Sequence, residues 1–356
     1  MMAPRSRRSA ARGAVAALLV LGVASARAAR ADASDYFSPP IEARFRGLCA
    51  DAPSAFSGVP LDGYALRCRH LATNRDWYSA RFLDGSHRRI AEAVRREAGA
   101  VRTVFYPFGG PDLTTPFTVF PDAERVIAVA LESVGAPASF AVDPHEKAVV
   151  FPERAEELSE PSSVRLALTA LLSFYGVGYF TVEEPFPSVP VSHVVLLEAI
   201  HDLGATIERV RPIALDAEGA VVPAPSGGAG LEIVFRDRAG SRRVYEYFTA
   251  NLADERFPQD GGLAKHVALA KPDGVLIKAG SNLIVEPGFS RVRALVLGNA
   301  RAIVEDGELA GEGADPSRVK GFRHHEVALD GLGFGYAQHA ASNHVDLWLR
   351  EPSATH

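Results

Sequence analysis

The chain has 356 residues, of which 47% are hydrophobic, and this content is enough for a sizeable packed core. It carries 38 Lys and Arg against 43 Asp and Glu. Nucleic acids and anionic membrane surfaces attract proteins with clustered cations, so neither is expected as a partner of this acidic chain.

The first 33 residues predict an export signal. Four arginines and no acid precede an apolar run from Ala14 to Ala24, and Ala-x-Ala sites follow up to Ala33. This order is typical of a secretory signal peptide, whereas a membrane anchor needs roughly 20 apolar residues. We therefore expect removal of residues 1–33, no membrane span in the mature protein, and a periplasmic or secreted location. Arg7-Arg8 leaves twin-arginine export open beside the general route.

Without residues 1–33, which hold six Arg and one Asp, the chain has a net charge of −10. Residues 34–63 are rich in Pro, Ser and Gly, and an irregular lead-in is expected over 34–70, with two cysteines, Cys49 and Cys68. In an oxidising compartment this isolated pair favours a disulfide, worth about 3 kcal/mol for a loop of about 20 residues. Two free thiols are the alternative. A metal site is not expected, because tetrahedral zinc takes four ligands.

Residues 71–306 predict an α/β domain. Apolar residues from Leu71 to Ala98 have helical spacing, and Gly99 ends the pattern. Strands are expected at 101–106 and 125–131, joined by a short helix near 115–120. The second strand is apolar throughout, which is typical of a parallel sheet covered on both faces.

Further along the chain, the apolar pattern continues to alternate between segments typical of helices and segments typical of strands. Helices are expected at 163–175, 191–203, 263–270 and 289–300, and strands at 206–215, 231–235, 243–248, 274–278 and 303–304. The strands on either side of Arg238-Ala239-Gly240 predict an antiparallel hairpin. The expected fold is a mixed, mainly parallel Rossmann-like sheet covered by helices, with an antiparallel hairpin insertion. Residues 307–356 are expected to form a variable C-terminal tail.

Three short segments carry a resemblance to a known family. They are Tyr106-Pro107-Phe108-Gly109-Gly110-Pro111-Asp112, Phe120-Pro121-Asp122-Ala123 and Leu131-Glu132-Ser133-Val134-Gly135. The chain resembles a family of uncharacterised exported bacterial proteins with a YPF-x-GPD loop, an FFP-N/D-A turn and a GLEPVG strand end. It departs from that pattern at Val119, where Phe is usual, and at Ser133, where Pro is usual. The resemblance implies export and a shared fold, and it transfers no catalytic residue because no activity is assigned to the family.

Candidate ligand-binding residues fall where the predicted strands end. Gly109, Gly110 and Asp112 follow the first strand, Glu132 ends the second, and Lys278 ends a later buried strand. Ligands of open parallel sheets bind beyond the carboxyl ends of the strands, and an acid at the end of the second strand can bind a ribose. The sequence therefore predicts a small-ligand site at this edge.

Other features of the same loop favour a structural turn instead. The G-x-G-x-x-G motif is absent, and Pro111 lacks the backbone N–H that would bind a phosphate. Nicotinamide and methyl-donor cofactors are also not normally available outside the cytoplasm, so no cofactor is expected. For Lys278, a pKa-shifted base and an ordinary lysine extending its amine to solvent are both open.

Two further motifs have simpler interpretations than catalysis or metal binding. His324-His325-Glu326, with His339 and His344, offers metal-type ligands, but H-E-x-x-H is missing, and surface histidines in the tail are the expectation. Ser290 lies in no G-x-S-x-G motif and is expected to be a helix N-cap. No metal is expected.

Two hypotheses of function follow. The first is a non-enzymatic exported protein that binds a small ligand or a cell-envelope partner. The alternative is a cell-envelope hydrolase or transferase that uses Asp112, Glu132 and Lys278 at the strand-end crevice, provided that the environments of the two acids separate their pKa values.

Overall fold

A computed structural model describes residues 44–45, 49, 64–132, 134, 141–143, 148–150, 191–224, 228–306, 319–330, 334 and 344–352. The predicted signal segment, the predicted helix at 163–175 and His339 lie outside the described residues. Among the helices that are described, none is both long and apolar enough to cross a membrane.

The first helical segment begins earlier than its apolar pattern indicates. Helix α1 spans Tyr64–Tyr78, a nine-residue π-helix spans Ser79–His87, and α2 spans Arg88–Ala98. Gly99 ends α2 with a φ of 73°, a conformation that glycine adopts at little cost. Sequence reasoning missed the π-helix, a rare conformation that frequently occurs at functional sites.

The protein is a mixed α/β structure built on a ten-stranded sheet. Three short strands, β1 (Arg44–Phe45), β4 (Ala141–Asp143) and β5 (Ala148–Val150), form a separate sheet in which β5 pairs with both of the others. The ten strands of the large sheet are β2 (Thr103–Pro107), β3 (Arg125–Ala130), β6 (Thr206–Leu215), β7 (Val221–Pro223), β8 (Gly230–Arg236), β9 (Arg242–Thr249), β10 (Gly274–Ile277), β11 (Ala302–Glu305), β12 (Phe322–Ala328) and β13 (His344–Arg350).

The large sheet is not mainly parallel, which corrects the prediction. Its order is β12-β13-β11-β10-β2-β3-β9-β8-β6-β7, and only the five strands from β11 to β9 run parallel. The other five of its nine strand pairings are antiparallel. Antiparallel strands thus flank the parallel centre on both sides, rather than entering as one hairpin. Two of them, β12 and β13, come from the predicted tail, so the folded sheet extends beyond residue 306.

Along the chain, successive central strands are added first on one side of β2 and then on the other. From β2 the chain moves outward through β3 to β9, and it then returns to the other side of β2 with β10 and continues to β11. The direction of succession therefore reverses between β2 and β10. In doubly wound sheets this reversal opens a crevice at the carboxyl ends of the strands.

Helices cover both faces of the sheet. Helix α2, α3 (Thr114–Val119) and α4 (Val191–Asp202) pack on one face, with Val104 and Tyr106 of β2. On the other face, with Phe105, lie α5 (Gly262–Ala270), α6 (Ser281–Val285) and α7 (Ser290–Asn299). Alternate residues of each central strand are therefore buried on opposite faces, as their continuously apolar sequences predict.

The predicted disulfide is confirmed. Cys49 and Cys68 are bonded across a sequence separation of 19 residues, and both side chains pack against the core on the α2 face. The bond ties residue 49 to helix α1, which continues through the π-helix into α2.

Candidate functional site

Asp112 is the centre of a buried polar network at the carboxyl end of β2. Its Oδ1 accepts a hydrogen bond from the backbone N of Thr115 at 3.0 Å, and its Oδ2 accepts one from the hydroxyl of Thr115 at 2.6 Å. The hydroxyl of Tyr106, on β2, also donates to Oδ2 at 3.1 Å. Asp112 thus closes the turn into α3 and links that helix to the first central strand.

Lys278 joins this network from the neighbouring strand β10. Its Nζ lies 2.8 Å from Oδ2 of Asp112 and 3.2 Å from the hydroxyl of Thr115, and both charged side chains are buried. Burial acts to raise the pKa of Asp112, but the ammonium group and the Thr115 donors outweigh it and hold this pKa below its ordinary value. The Asp112–Lys278 ion pair therefore joins the two strands between which the sheet reverses.

Three aromatic or imidazole side chains surround the pair on the α2 face. The buried hydroxyl groups of Tyr78 and Tyr106 have pKa values raised by burial and then by the charge of Asp112. The pKa of His87 is lowered to about 3 by burial and by the charge of Lys278, so this imidazole is neutral near pH 7. His87 ends the π-helix, and its Nδ1 lies 2.8 Å from the hydroxyl of Thr118 in α3.

Several buried hydroxyl groups in this region have no hydrogen-bond partner among the residues that the structure describes. They belong to Tyr245 of β9, Thr114 of α3 and Ser86 beside His87. Burial of an unpaired hydroxyl group is costly, and native proteins rarely leave several of them together without a bound water or ligand. Unused hydrogen-bonding capacity next to a buried ion pair is a property of binding sites.

Glu132 reaches the same edge of the sheet from the end of β3. Burial raises the pKa of its carboxyl group, which forms no ion pair with any described residue. Its backbone oxygen accepts hydrogen bonds from the hydroxyl groups of Tyr247 and Thr249 on β9. The charges of Asp112 and Glu132 both raise the pKa of the buried Tyr245, after the larger effect of burial itself. Tyr245 therefore lies within electrostatic reach of both carboxyl groups.

The glycine loop between β2 and α3 is largely occupied by the protein itself. Gly109 donates its N–H to the carbonyl of Val129, and its close approach to the ring of Tyr106 leaves no space for a side chain. Gly110 has a φ of 57° and open space around it. Phe108 packs against Gly280 in the loop after β10 and fills the crevice from the α7 face. Within this loop, open space is therefore found next to Gly110.

Sequence reasoning identified three of the central residues and missed the others. Asp112 was predicted because it follows the first strand, and Glu132 and Lys278 because they end later strands; the structure brings Asp112 and Lys278 into direct contact. His87 and Tyr245 were missed because they lie far from the loop in sequence and are ordinary core residue types. The one available signal was that Tyr245 and Tyr247 alternate along β9, at positions that face the same side of the sheet.

A second buried ion network lies on the opposite face of the sheet. Glu246 of β9 receives hydrogen bonds from Arg125 and lies 3.0 Å from Nε2 of His266. Glu232 is directly opposite Glu246 in the β8–β9 pairing and is held by Arg211 and its neighbour Arg209. Each buried carboxylate has arginine partners, so this network is accounted for by the packing of the sheet against α5.

A groove of about 620 Å³ lies at the other edge of the sheet, near the amino ends of β3 and β9. Its arginines each have an acidic partner: Arg102 pairs with Glu124, Arg125 with Glu246, Arg242 with Glu208 and Arg243 with Asp237. This groove is therefore a weak candidate for the binding site of an anionic ligand.

Two other sequence candidates, His324 and Ser290, make contacts within the fold. His324 lies on the strand β12, where it contacts Asp346 at 2.6 Å and packs on Trp348. Among the described residues, no group of three or more His, Cys, Asp or Glu side chains is arranged to hold a metal. The N-cap prediction for Ser290 is wrong, because Asp254 accepts the bonds from the backbone N atoms of Ser290 and Arg291.

Comparison of the chain with protein-family models, with curated proteins and with solved structures gave no match. The two networks and the groove differ in their geometry. Unpaired hydroxyl groups, a carboxyl group without an ion-pair partner among the described residues and the reversal of the sheet come together at the carboxyl edge alone among these three places.

Proposed function

We propose that the protein binds a small polar ligand at the carboxyl edge of its central strands, in the manner of Rossmann-like proteins. The observation that carries this proposal is the position of the Asp112–Lys278 pair, whose residues follow the two strands between which the sheet reverses. Ligands of open α/β sheets bind at this point. We further propose that it acts outside the cytoplasm, because residues 1–33 have the pattern of an export signal, and that it resembles the uncharacterised exported family in function as well.

A thermal unfolding screen tests the binding function. Wild-type protein is heated in the presence of sugars, amino acids, small carboxylic acids and nucleosides, since a compound that binds only the folded state raises Tm. We expect one class of compound to raise Tm in wild-type protein and to leave the Asp112→Asn/Lys278→Met variant unchanged. Equal shifts in both proteins, or no shift with any class, would contradict the proposal.

A pair of tyrosine variants tests whether the unpaired hydroxyl is kept for a ligand. Tyr245→Phe removes a buried hydroxyl group without a partner among the described residues, so we expect the free energy of unfolding to rise by about 1 kcal/mol. Tyr106→Phe removes a donor to Asp112 and should lower it by about the same amount. Denaturant titration measures both. An equal loss in the two variants would show that the Tyr245 hydroxyl has a structural partner.

An enzymatic role is the second candidate, and one observation favours it. The two acids at this edge are shifted in opposite directions, with the pKa of Asp112 below and that of Glu132 above its ordinary value. Such a separation is how one site supplies both a protonated acid and an ionised carboxylate. Under this alternative the protein is a cell-envelope hydrolase or transferase, with Glu132 as the proton donor. Turnover of a bound compound that is lost in Glu132→Gln would favour it over binding alone.

A further inference from the structure

The position of Glu132 limits the class of ligand. It lies just beyond Ala130, the last residue of the second central strand, and about 20 residues after the glycine loop that follows the first. In doubly wound sheets an acid at this position accepts hydrogen bonds from ribose hydroxyl groups. The strands of this protein follow the order of such a sheet, with β9, β3, β2, β10 and β11 as third, second, first, fourth and fifth.

The surroundings of Glu132 suit a vicinal diol. Its carboxyl group forms no ion pair with any described residue, and hydrogen bonds from the backbone of Glu132 and Leu131 and from Tyr247 partly offset the effect of burial on its pKa. A carboxylate has about four lone-pair sites in all, so it can also accept hydrogen bonds from the hydroxyl groups of a ligand. The preceding residue, Leu131, is 71% exposed and adds an apolar side chain to this edge of the sheet. The hydroxyl of Tyr245, which has no partner among the described residues, is within electrostatic reach of both Glu132 and Asp112. A sugar ring has the mixture of polar and apolar surface that these three side chains provide.

Phosphate does not fit the position that it takes in nucleotide-binding sheets. That position is the start of the helix after the first strand, where backbone N–H groups are free. Here the N–H of Thr115 already donates to the carboxylate of Asp112, and Pro111 and Pro116 have no N–H to offer. The protein's own carboxylate, already paired with Lys278, thus occupies the place that the anion takes in those sheets.

We infer that the ligand is a ribonucleoside without a 5′-phosphate, whose 2′- and 3′-hydroxyl groups donate to the carboxylate of Glu132. This inference rests on the proposed ligand-binding function and adds the class of ligand to it. A nucleoside is also compatible with action outside the cytoplasm, because it needs no supply of a phosphorylated cofactor.

Calorimetric titration of the folded mature protein tests this inference with adenosine, guanosine, cytidine and uridine as probes. We expect at least one to bind wild-type protein, its 2′,3′-dideoxy analogue to bind roughly hundredfold more weakly, and its 5′-monophosphate at least about tenfold more weakly. Glu132→Gln should weaken binding by about tenfold. Glu124→Gln is the matched control, because that exposed carboxylate lies at the opposite edge of the sheet, and it should bind as wild-type protein does.

Three results would overturn the inference: no ribonucleoside binds, the dideoxy analogue binds as tightly as its parent, or Glu132→Gln binds like wild-type protein. The thermal screen separates this failure from failure of the proposed function. If a sugar, amino acid or carboxylic acid stabilises wild-type protein and not the Asp112→Asn/Lys278→Met variant, the result supports binding at the carboxyl edge and contradicts the nucleoside assignment. If no class of compound does so, the result contradicts both the binding function and the nucleoside assignment.

Discussion

Replacement of Lys278 by methionine is expected to lower the free energy of unfolding by about 3–5 kcal/mol, because it leaves Asp112 buried without its cation. Denaturant titration measures this loss. Lys320→Met is the matched control, since that lysine is exposed, and its effect should stay within about 0.5 kcal/mol. A loss as small as that of the control would show that the pair contributes little to stability.

The stability deficit of Lys278→Met relative to wild-type protein is expected to change with pH in one direction. In wild-type protein the pKa of Asp112 is below its ordinary value, so the stability that it provides is present above about pH 4 and is lost as the pH falls through the lowered pKa. Without Lys278, burial should raise this pKa above the unfolded value. The variant then regains stability on protonation, and its deficit relative to wild-type protein should narrow between pH 7 and pH 4. A constant deficit would contradict this account.

The double variant Asp112→Asn/Lys278→Met separates the contribution of the two charges to the free energy of unfolding from the contribution of side-chain packing. Asparagine keeps an oxygen that can accept from Thr115, and methionine fills most of the volume of the lysine stem. Replacement of a complete buried ion pair by neutral groups is often close to neutral in stability. We therefore expect the double variant to recover most of the stability that Lys278→Met loses. If it does, wild-type protein keeps the charges for binding or catalysis rather than for stability.

Removal of the disulfide is expected to have the next largest effect. Cys49→Ser/Cys68→Ser should lower the free energy of unfolding by about 3 kcal/mol, because the unfolded chain gains the entropy of an open loop of about 20 residues. Denaturant titration of the variant and of wild-type protein measures the difference.

Reduction supplies the control for the disulfide. Dithiothreitol should bring wild-type protein to the stability of the serine variant and should leave that variant unchanged. If wild-type protein and the variant unfold at the same denaturant concentration without reductant, the bond does not constrain the unfolded chain as proposed.

The parallel centre of the sheet was predictable because its strands are apolar on both faces. The central strands β2 and β3 lie within two residues of their predicted bounds. Continuous apolar runs of this kind have no other stable place in a soluble domain than between two layers of helices.

The antiparallel flank from the C-terminal region was not predictable in the same way. Residues 322–328 read Phe-Arg-His-His-Glu-Val-Ala, and only Val327 among them is a buried hydrophobic residue. This strand lies at the edge of the sheet, so its side chains are mostly exposed and its sequence lacks a strand pattern. Its partner β13 supplies the apolar face, which the sequence alone does not connect to β12.

The site was predicted in part, because strand ends can be read from the sequence and contacts between distant segments cannot. Asp112 and Lys278 are 166 residues apart, and their pairing depends on the return of the chain to the other side of β2. The capping of α7 by Asp254 instead of Ser290 has the same cause, since that acid is 36 residues from the helix it caps. Such contacts are determined by topology, whereas local patterns report only the element to which a residue belongs.

A crystal structure of wild-type protein with the compound that raises Tm most is the most direct test of the binding edge. The account predicts density for that compound at the carboxyl ends of β2, β3 and β10, with a hydroxyl or amine group within hydrogen-bond distance of Tyr245 or Glu132. Density in the arginine-lined groove at the opposite edge of the sheet, with the network around Asp112 unchanged, would contradict it.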